Sequence, residues 1–211
     1  MNKYIFPIIK WKIKPWLKYY IYKKYSKLLP DEYQQVDYIE SSGTQYIDTG
    51  YLMNNNSIFE FKFAPMVESG HIFGVSNYAR MYVQNNSGRA YEYVRSNKFY
   101  EYGEYEQGTI HTFKLTPSEY IMDGTKRLDV TQTIADCPYN MPIFARNTGK
   151  KIVMYSSIKL YYFKVYEGND IKRDFIPCYR KSDNVVGLYD LVNKVFYTNA
   201  GTGAFTYGGV V

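Results

Sequence analysis

Cysteine is scarce in this sequence, with only Cys137 and Cys178 in 211 residues. Nothing in their spacing requires a bridge, so two small buried thiols are the simpler reading. Histidine is as rare: His71 and His111 are the only two. No Cys/His cluster with metal-ligand spacing can be assembled from these four residues, and no run resembles a Ca²⁺ loop, so no cofactor is implied. Neither histidine has a Ser or Cys beside it in a nucleophilic arrangement, and structural or surface roles are expected of both. No apolar run approaches the roughly 18 residues that a membrane span needs. The longest apolar stretch near the N-terminus, residues 4–9, contains Pro7 and stops at Lys10 with no small-residue cleavage site behind it, which argues against a secretory leader.

Acidic side chains are missing from residues 1–28, which hold eight lysines. Removing these eight from the 26 basic residues leaves 18 against 20 acids, so residues 29–211 carry about −2 while the whole chain carries +6. The basicity belongs to an N-terminal arm, and the pI near 9.0 is no sign that the main body binds nucleic acid. Both tryptophans also lie in the arm. Ile9, Trp11 and Ile13 alternate with Lys10, Lys12 and Lys14, which reads as a short strand with one apolar and one cationic face. Pro15 suits the first position of a helix, and Trp16, Leu17, Tyr20 and Ile21 fall on neighbouring helical positions. A segment this short cannot bury its own apolar face, so docking on another protein is expected through Ile9, Lys10, Trp11, Lys12, Ile13, Lys14, Trp16 and Tyr20. A nucleic-acid-binding tail or a membrane-surface helix fits less well. Pro7 and Pro15 limit any helix to about 13 residues.

What is abundant is tyrosine, with 26 in the chain, and 19% of all residues are aromatic. Such residues suit half-buried pleated surfaces. Beyond residue 30 the pattern is one of short strands. Phe59-Glu60-Phe61-Lys62-Phe63 alternates strictly, so the phenylalanines are expected inward and Glu60 and Lys62 outward. The run Tyr120-Ile121-Met122, an Asp123-Gly124 turn, then residues 127–130 reads as a hairpin. A dozen such segments, with turns every 8–12 residues or so and no amphipathic helix, predict two stacked sheets or a barrel.

Two blocks carry a resemblance. The first is Leu29-Pro30-Asp31-Glu32-Tyr33, continuing to Ser41-Ser42-Gly43-Thr44-Gln45-Tyr46-Ile47-Asp48-Thr49-Gly50. The second is Arg173-Asp174-Phe175-Ile176-Pro177-Cys178-Tyr179-Arg180, followed by Val186-Gly187-Leu188-Tyr189-Asp190 and Phe196-Tyr197-Thr198-Asn199. Together they resemble the opening and closing blocks of a concanavalin A-like, laminin-G-like domain of phage and prophage structural proteins from gut bacteria. The resemblance implies an all-β, two-sheet antiparallel jelly-roll sandwich over residues 29–211, behind a basic aromatic arm at 1–28, with its first and last strands close together. It further implies a non-enzymatic virion protein, anchored to other virion proteins by the arm and displaying a lectin-like sandwich to host surface glycans or proteins. A bacterial surface or secreted glycan-binding protein, and a glycoside hydrolase of the same fold, are the alternatives, because this sandwich serves many functions.

Two stretches bear on that choice. Glu101-Tyr102-Gly103-Glu104-Tyr105-Glu106 places Glu104 and Glu106 at alternate positions, as the acid pair of a glycosidase strand requires. The third acid breaks the spacing, so a solvated strand or loop is the simpler reading and no catalytic residue is assigned. In Tyr91-Glu92-Tyr93-Val94-Arg95, alternation puts Tyr91, Tyr93 and Arg95 on one face and Glu92 and Val94 on the other. Tyrosines flanked by an arginine can stack on sugar rings, which makes Tyr91, Tyr93 and Arg95 the glycan-binding candidates. The competing reading is that these tyrosines line the core.

Overall fold

The computed structural model describes residues 28–66, 69–84, 90–104 and 106–211. The arm segment proposed for docking, Ile9 to Tyr20, lies outside them. The described residues form nineteen strands and no helix. In chain order these are β1 (Tyr33–Gln35), β2 (Ile39–Glu40), β3 (Ile47–Leu52), β4 (Ser57–Pro65), β5 (Gly70–Gly74), β6 (Ala79–Gln84) and β7 (Ala90–Arg95). Then come β8 (Lys98–Glu104), β9 (His111–Leu115), β10 (Glu119–Met122), β11 (Thr125–Asp129), β12 (Asn140–Ile143), β13 (Arg146–Asn147) and β14 (Ile152–Val153). The last five are β15 (Ile158–Glu167), β16 (Asp170–Arg180), β17 (Val186–Asp190), β18 (Val195–Thr198) and β19 (Thr206–Tyr207).

They build an antiparallel β-sandwich of jelly-roll type. The larger sheet has the order β11-β10-β9-β4-β15-β16-β17-β18, with β1 beside β16, and β2 bridging β15 and β19. The smaller is six-stranded, β3-β12-β5-β6-β7-β8, and β13 and β14 form a separate two-stranded hairpin. The first and last strands of the sandwich lie close, as expected: β19 pairs β2, and Val36 bridges Val210. The Asp123-Gly124 hairpin is also present, with φ of 50° and 73° at the two turn residues, the twist a two-residue hairpin needs.

The core follows from the strand period. Phe59, Phe61 and Phe63 of β4 are all fully buried, while Glu60 and Lys62 are half-exposed. Phe61 lies at the centre, stacked on Phe113 of β9 (5.5 Å) and Phe163 of β15 (5.2 Å) and edge-on to Phe73 of β5 in the facing sheet (5.5 Å). Each such ring contributes about 1.5–3 kcal/mol by burial, and ring pairs add further. A smaller cluster of Leu29, Tyr33, Ile176, Cys178 and Tyr189 packs separately. Cys178 sits there and Cys137 in the main core; both are free thiols.

The residues that carry the resemblance turn out to be joinery. Gln45 Oε1 accepts from Ser41 Oγ (3.0 Å) and the Ser42 amide (2.9 Å), closing the Ser41–Gln45 connection. Its Nε2 donates to the Ala204 carbonyl (3.1 Å). Asn199 Oδ1 accepts from the Tyr46 and Gly201 amides at 3.1 and 2.8 Å, tying the closing block to the opening one. Buried Asp190 accepts from the Asp174 and Val192 amides and from Asn193 Nδ2, holding the β17–β18 hairpin. Tyr51 buries its hydroxyl against Ser57 Oγ (2.7 Å).

If the Phe61 stack holds the two sheets together, Phe61→Ala should lower the unfolding free energy by about 3–5 kcal/mol. Urea unfolding at fixed pH measures this; a loss below about 1 kcal/mol, the range of an ordinary surface change, would show that the stack is not central.

Candidate functional site

The structure corrects the glycan-binding candidates. Tyr91, Tyr93 and Arg95 are each 0% exposed and face into the sandwich. Tyr91 packs edge-on to Phe63 (5.9 Å) and beside Phe113 (5.2 Å). The Arg95 guanidinium is satisfied internally: Nε donates to the Gln132 carbonyl (2.6 Å), and Nη2 to the carbonyl and Oδ1 of Asn55 (2.6 and 2.9 Å). No sugar ring can reach these side chains. Alternation separated the two faces of β7 correctly, but the polar-looking set is the inner one. Glu104 ends β8 and Glu106 lies beyond the strand; both are exposed, as a solvated segment would be.

The outer face of the six-stranded sheet is where polar groups gather. Cross-strand register sets His71 of β5 opposite Tyr82 of β6, Tyr82 opposite Glu92 of β7, and Glu92 opposite Glu101 of β8. A neighbouring row runs Gly74, Arg80, Val94, Phe99. Arg80 and Tyr82 point outward because Ala79, Met81 and Val83 take the core side of β6. The β5 backbone lies close beneath Arg80. Gly74 has φ +138°, and a Cβ there would meet Arg80 Cβ at 2.2 Å, so glycine is required.

His71 stacks on Tyr82 with ring centroids 4.7 Å apart. The Tyr82 hydroxyl donates to Glu92. His71 and Glu92 are each only 2% exposed, although they are on the outer face. Both ring nitrogens of His71, and the Nε atoms of Arg80 and Arg146, are buried without hydrogen-bond partners. Burial, and then the charges of Arg146 and Arg80, lower the His71 pKa to about 3, so the ring is neutral. Burial and Arg146 lower Arg80 from its ordinary value. Burial raises Glu92 against the hydrogen bond from Tyr82, with Glu101 adding to the rise.

The large sheet makes an instructive contrast. Its outer charges pair with each other: Lys114 with Glu60 (3.8 Å) and Lys164 with Asp174 (3.5 Å). Lys62 and Lys159 sit over the rings of Tyr161 and Tyr38 at 5.1 and 4.9 Å. Beside the six-stranded sheet, by contrast, the β13–β14 hairpin borders an open groove of about 480 Å³ lined by residues that include Tyr46, Asp48, Tyr139, Asn140, Lys150 and Lys151. Asp48 accepts from Asn140 Nδ2 (3.2 Å), and Tyr139 is 40% exposed. Aromatic faces, amides and carboxylates in one groove are a sugar's usual partners.

No family model and no curated protein matches the sequence. Among solved structures, the chain is similar to a "putative carbohydrate binding protein" from Bacteroides ovatus ATCC 8483, with a TM-score of 0.59 and 10% identity. The match covers 84% of this chain and 62% of that one. The likeness is one of fold.

Sequence reasoning gave His71 a structural or surface role, set Glu92 on the face opposite its glycan-binding candidates, and did not single out Arg80, Tyr82 or Arg146. A signal existed in Arg80-Met81-Tyr82-Val83-Gln84, whose polar positions alternate with apolar ones as an outward face does. Nothing in sequence tied it to Arg146.

A buried neutral histidine has a pH consequence. Its folded pKa lies below the ordinary 6.5, so the unfolded state binds a proton that the folded state refuses. Stability from this residue is present above about pH 6.5 and is lost as pH falls toward 3, by at most about 1.4 kcal/mol per pH unit. Melting curves of the native chain and His71→Phe between pH 7 and pH 4 test this, and the native chain should lose more stability. Parallel curves would mean that His71 protonates freely in the fold.

Proposed function

We propose that this chain is a glycan-binding module whose binding face is the outer surface of the six-stranded sheet with the adjoining β13–β14 groove. One observation carries the reading. His71, nearly dry and stacked on Tyr82, keeps both ring nitrogens unpaired beside Arg80 and Arg146. Hydrogen-bonding capacity left open at a dry site is costly to a fold and useful to a ligand. A sugar laid on this face would meet the part-exposed Arg80 and Tyr82 on a rigid sheet, while His71 and Glu92, each 2% exposed, would hold those side chains in place from beneath. The jelly-roll likeness to a protein of the name given above supports the same class.

The mode of action we infer is binding without cleavage. Glu92 and Glu101 are the acids facing each other across strands here, but Glu92 is buried and already accepts from Tyr82. A glycan array followed by titration in solution should find ligands, with His71→Phe and Glu92→Gln each weakening the best by about tenfold. Absence of any retained glycan, or indifference to both variants, would overturn the reading. Reducing-end release from a bound glycan that disappears in Glu92→Gln or Glu101→Gln would replace binding with hydrolysis.

The setting we propose is a phage particle, with the arm as tether. The support is the sequence resemblance together with eight lysines and two tryptophans in residues 1–28, unbalanced by any acid. Deleting residues 1–28 should abolish incorporation into particles while leaving the melting of the sandwich unchanged. Incorporation that persists would place the anchor elsewhere, and unfolding would make the arm part of the domain's own core.

A further inference from the structure

Of the described arginines, four are held. Arg95 is satisfied inside the core, and Arg127 donates to the Tyr102 hydroxyl (3.1 Å) and lies over its ring. Arg173 donates to the Thr49 carbonyl (3.1 Å), and Arg180 grips Asp183 (2.7 Å). Arg80 and Arg146 differ. Neither guanidinium forms a hydrogen bond or ion pair among the described residues, and each, like Arg127, buries its Nε without an acceptor. Arg146, on the hairpin that packs against β5, also sits close enough to disturb the charge of Arg80 on β6.

We propose that Arg80 and Arg146 receive an oxyanion, so that the glycan this face binds is an acidic one, carrying a carboxylate or sulfate. The inference rests on the outer face being the binding surface. Two like charges partly withdrawn from water repel unless an anion lies between them, and the guanidinium fork matches the oxygens of a carboxylate or sulfate. His71, which feels both charges, is neutral and adds no charge of its own. Lys150 and Lys151 extend the positive potential along the same hairpin, and neither forms an ion pair among the described residues. Of the acids of this face, Glu92 on β7 lies near enough to offset part of the Arg80 charge but already accepts from the Tyr82 hydroxyl, and Glu101 lies one strand farther out on β8. Arg146, Lys150 and Lys151 all lie on the β5–β13 side, which takes the acidic group, and the β7–β8 side is left to sugar hydroxyls.

The experiment uses the full chain and matched ligand pairs. Oligogalacturonides are compared with their methyl esters, and sulfated carrageenan oligosaccharides with their desulfated forms, by calorimetric titration at low and physiological salt. At least one acidic member should bind about tenfold or more tightly than its neutralised partner, with an advantage that shrinks as salt rises. The pair that shows it tells carboxylate from sulfate. Arg80→Gln and Arg146→Gln, checked for native melting, should each erase most of that preference, and Arg80→Lys should keep part of it. Equal binding of acidic and neutral partners would overturn the acidic assignment and leave glycan binding standing. Failure of every glycan, neutral ones included, would overturn the binding face itself and this inference with it. Should the variants not fold, the matched pairs on the native chain still decide the question.

Discussion

The aromatic stack centred on Phe61 is the contact on which the rest depends. It joins β4, β9 and β15 of one sheet to β5 of the other, and so fixes which face of each of those strands is inside. Because side chains alternate along a strand, a slip of one residue would exchange every inner side chain for its outer neighbour. Once Phe73 is held against Phe59 and Phe61, the pairing of β5 with β6 and of β6 with β7 sorts the rest, with a register shift between His71 and Phe73 turning those two to opposite faces. Met81, Tyr91 and Tyr93 must go in, and His71, Arg80, Tyr82 and Glu92 must stay out.

The two outer faces then meet solvent on different terms. On the large sheet, lysines lie across tyrosine rings or opposite carboxylates, in arrangements that neutralise charge and cost little. On the small sheet, the polar groups are deeper and fewer of them are paired. Reduced hydration strengthens every electrostatic interaction there, favourable or not. A fold stabilised only by its own contacts gains nothing from such a surface, whereas a fold that meets a ligand gains affinity from groups already held in place.

The sequence blocks that resemble a known domain say why resemblance spoke for the fold and stayed silent on the site. Gln45, Asp190 and Asn199 are each bound to backbone groups of neighbouring turns. They fix where strands start, turn and meet, a task any sandwich of this kind shares. The side chains on the outer face of β5, β6 and β7 have no such duty and are free to differ from one sandwich to another.

The sequence by itself determined the strands, most of the turns and the two-fold division of each strand into alternating sets, because those are local properties of a pleated chain. For β4 it also determined which set is buried, since one set is all phenylalanine. For β7 it could not, because Tyr91, Tyr93 and Arg95 are as plausible outside as Glu92 and Val94. That choice was made by distant partners. Arg95 can be buried only because Asn55 and Gln132, 40 and 37 residues away, supply its acceptors. The influence of Arg146 on Arg80 is likewise a product of the folded state, since a β-hairpin late in the chain is carried back against β5. Hydrogen-bond satisfaction is a sum over neighbours in space, and the chain alone does not say who they are.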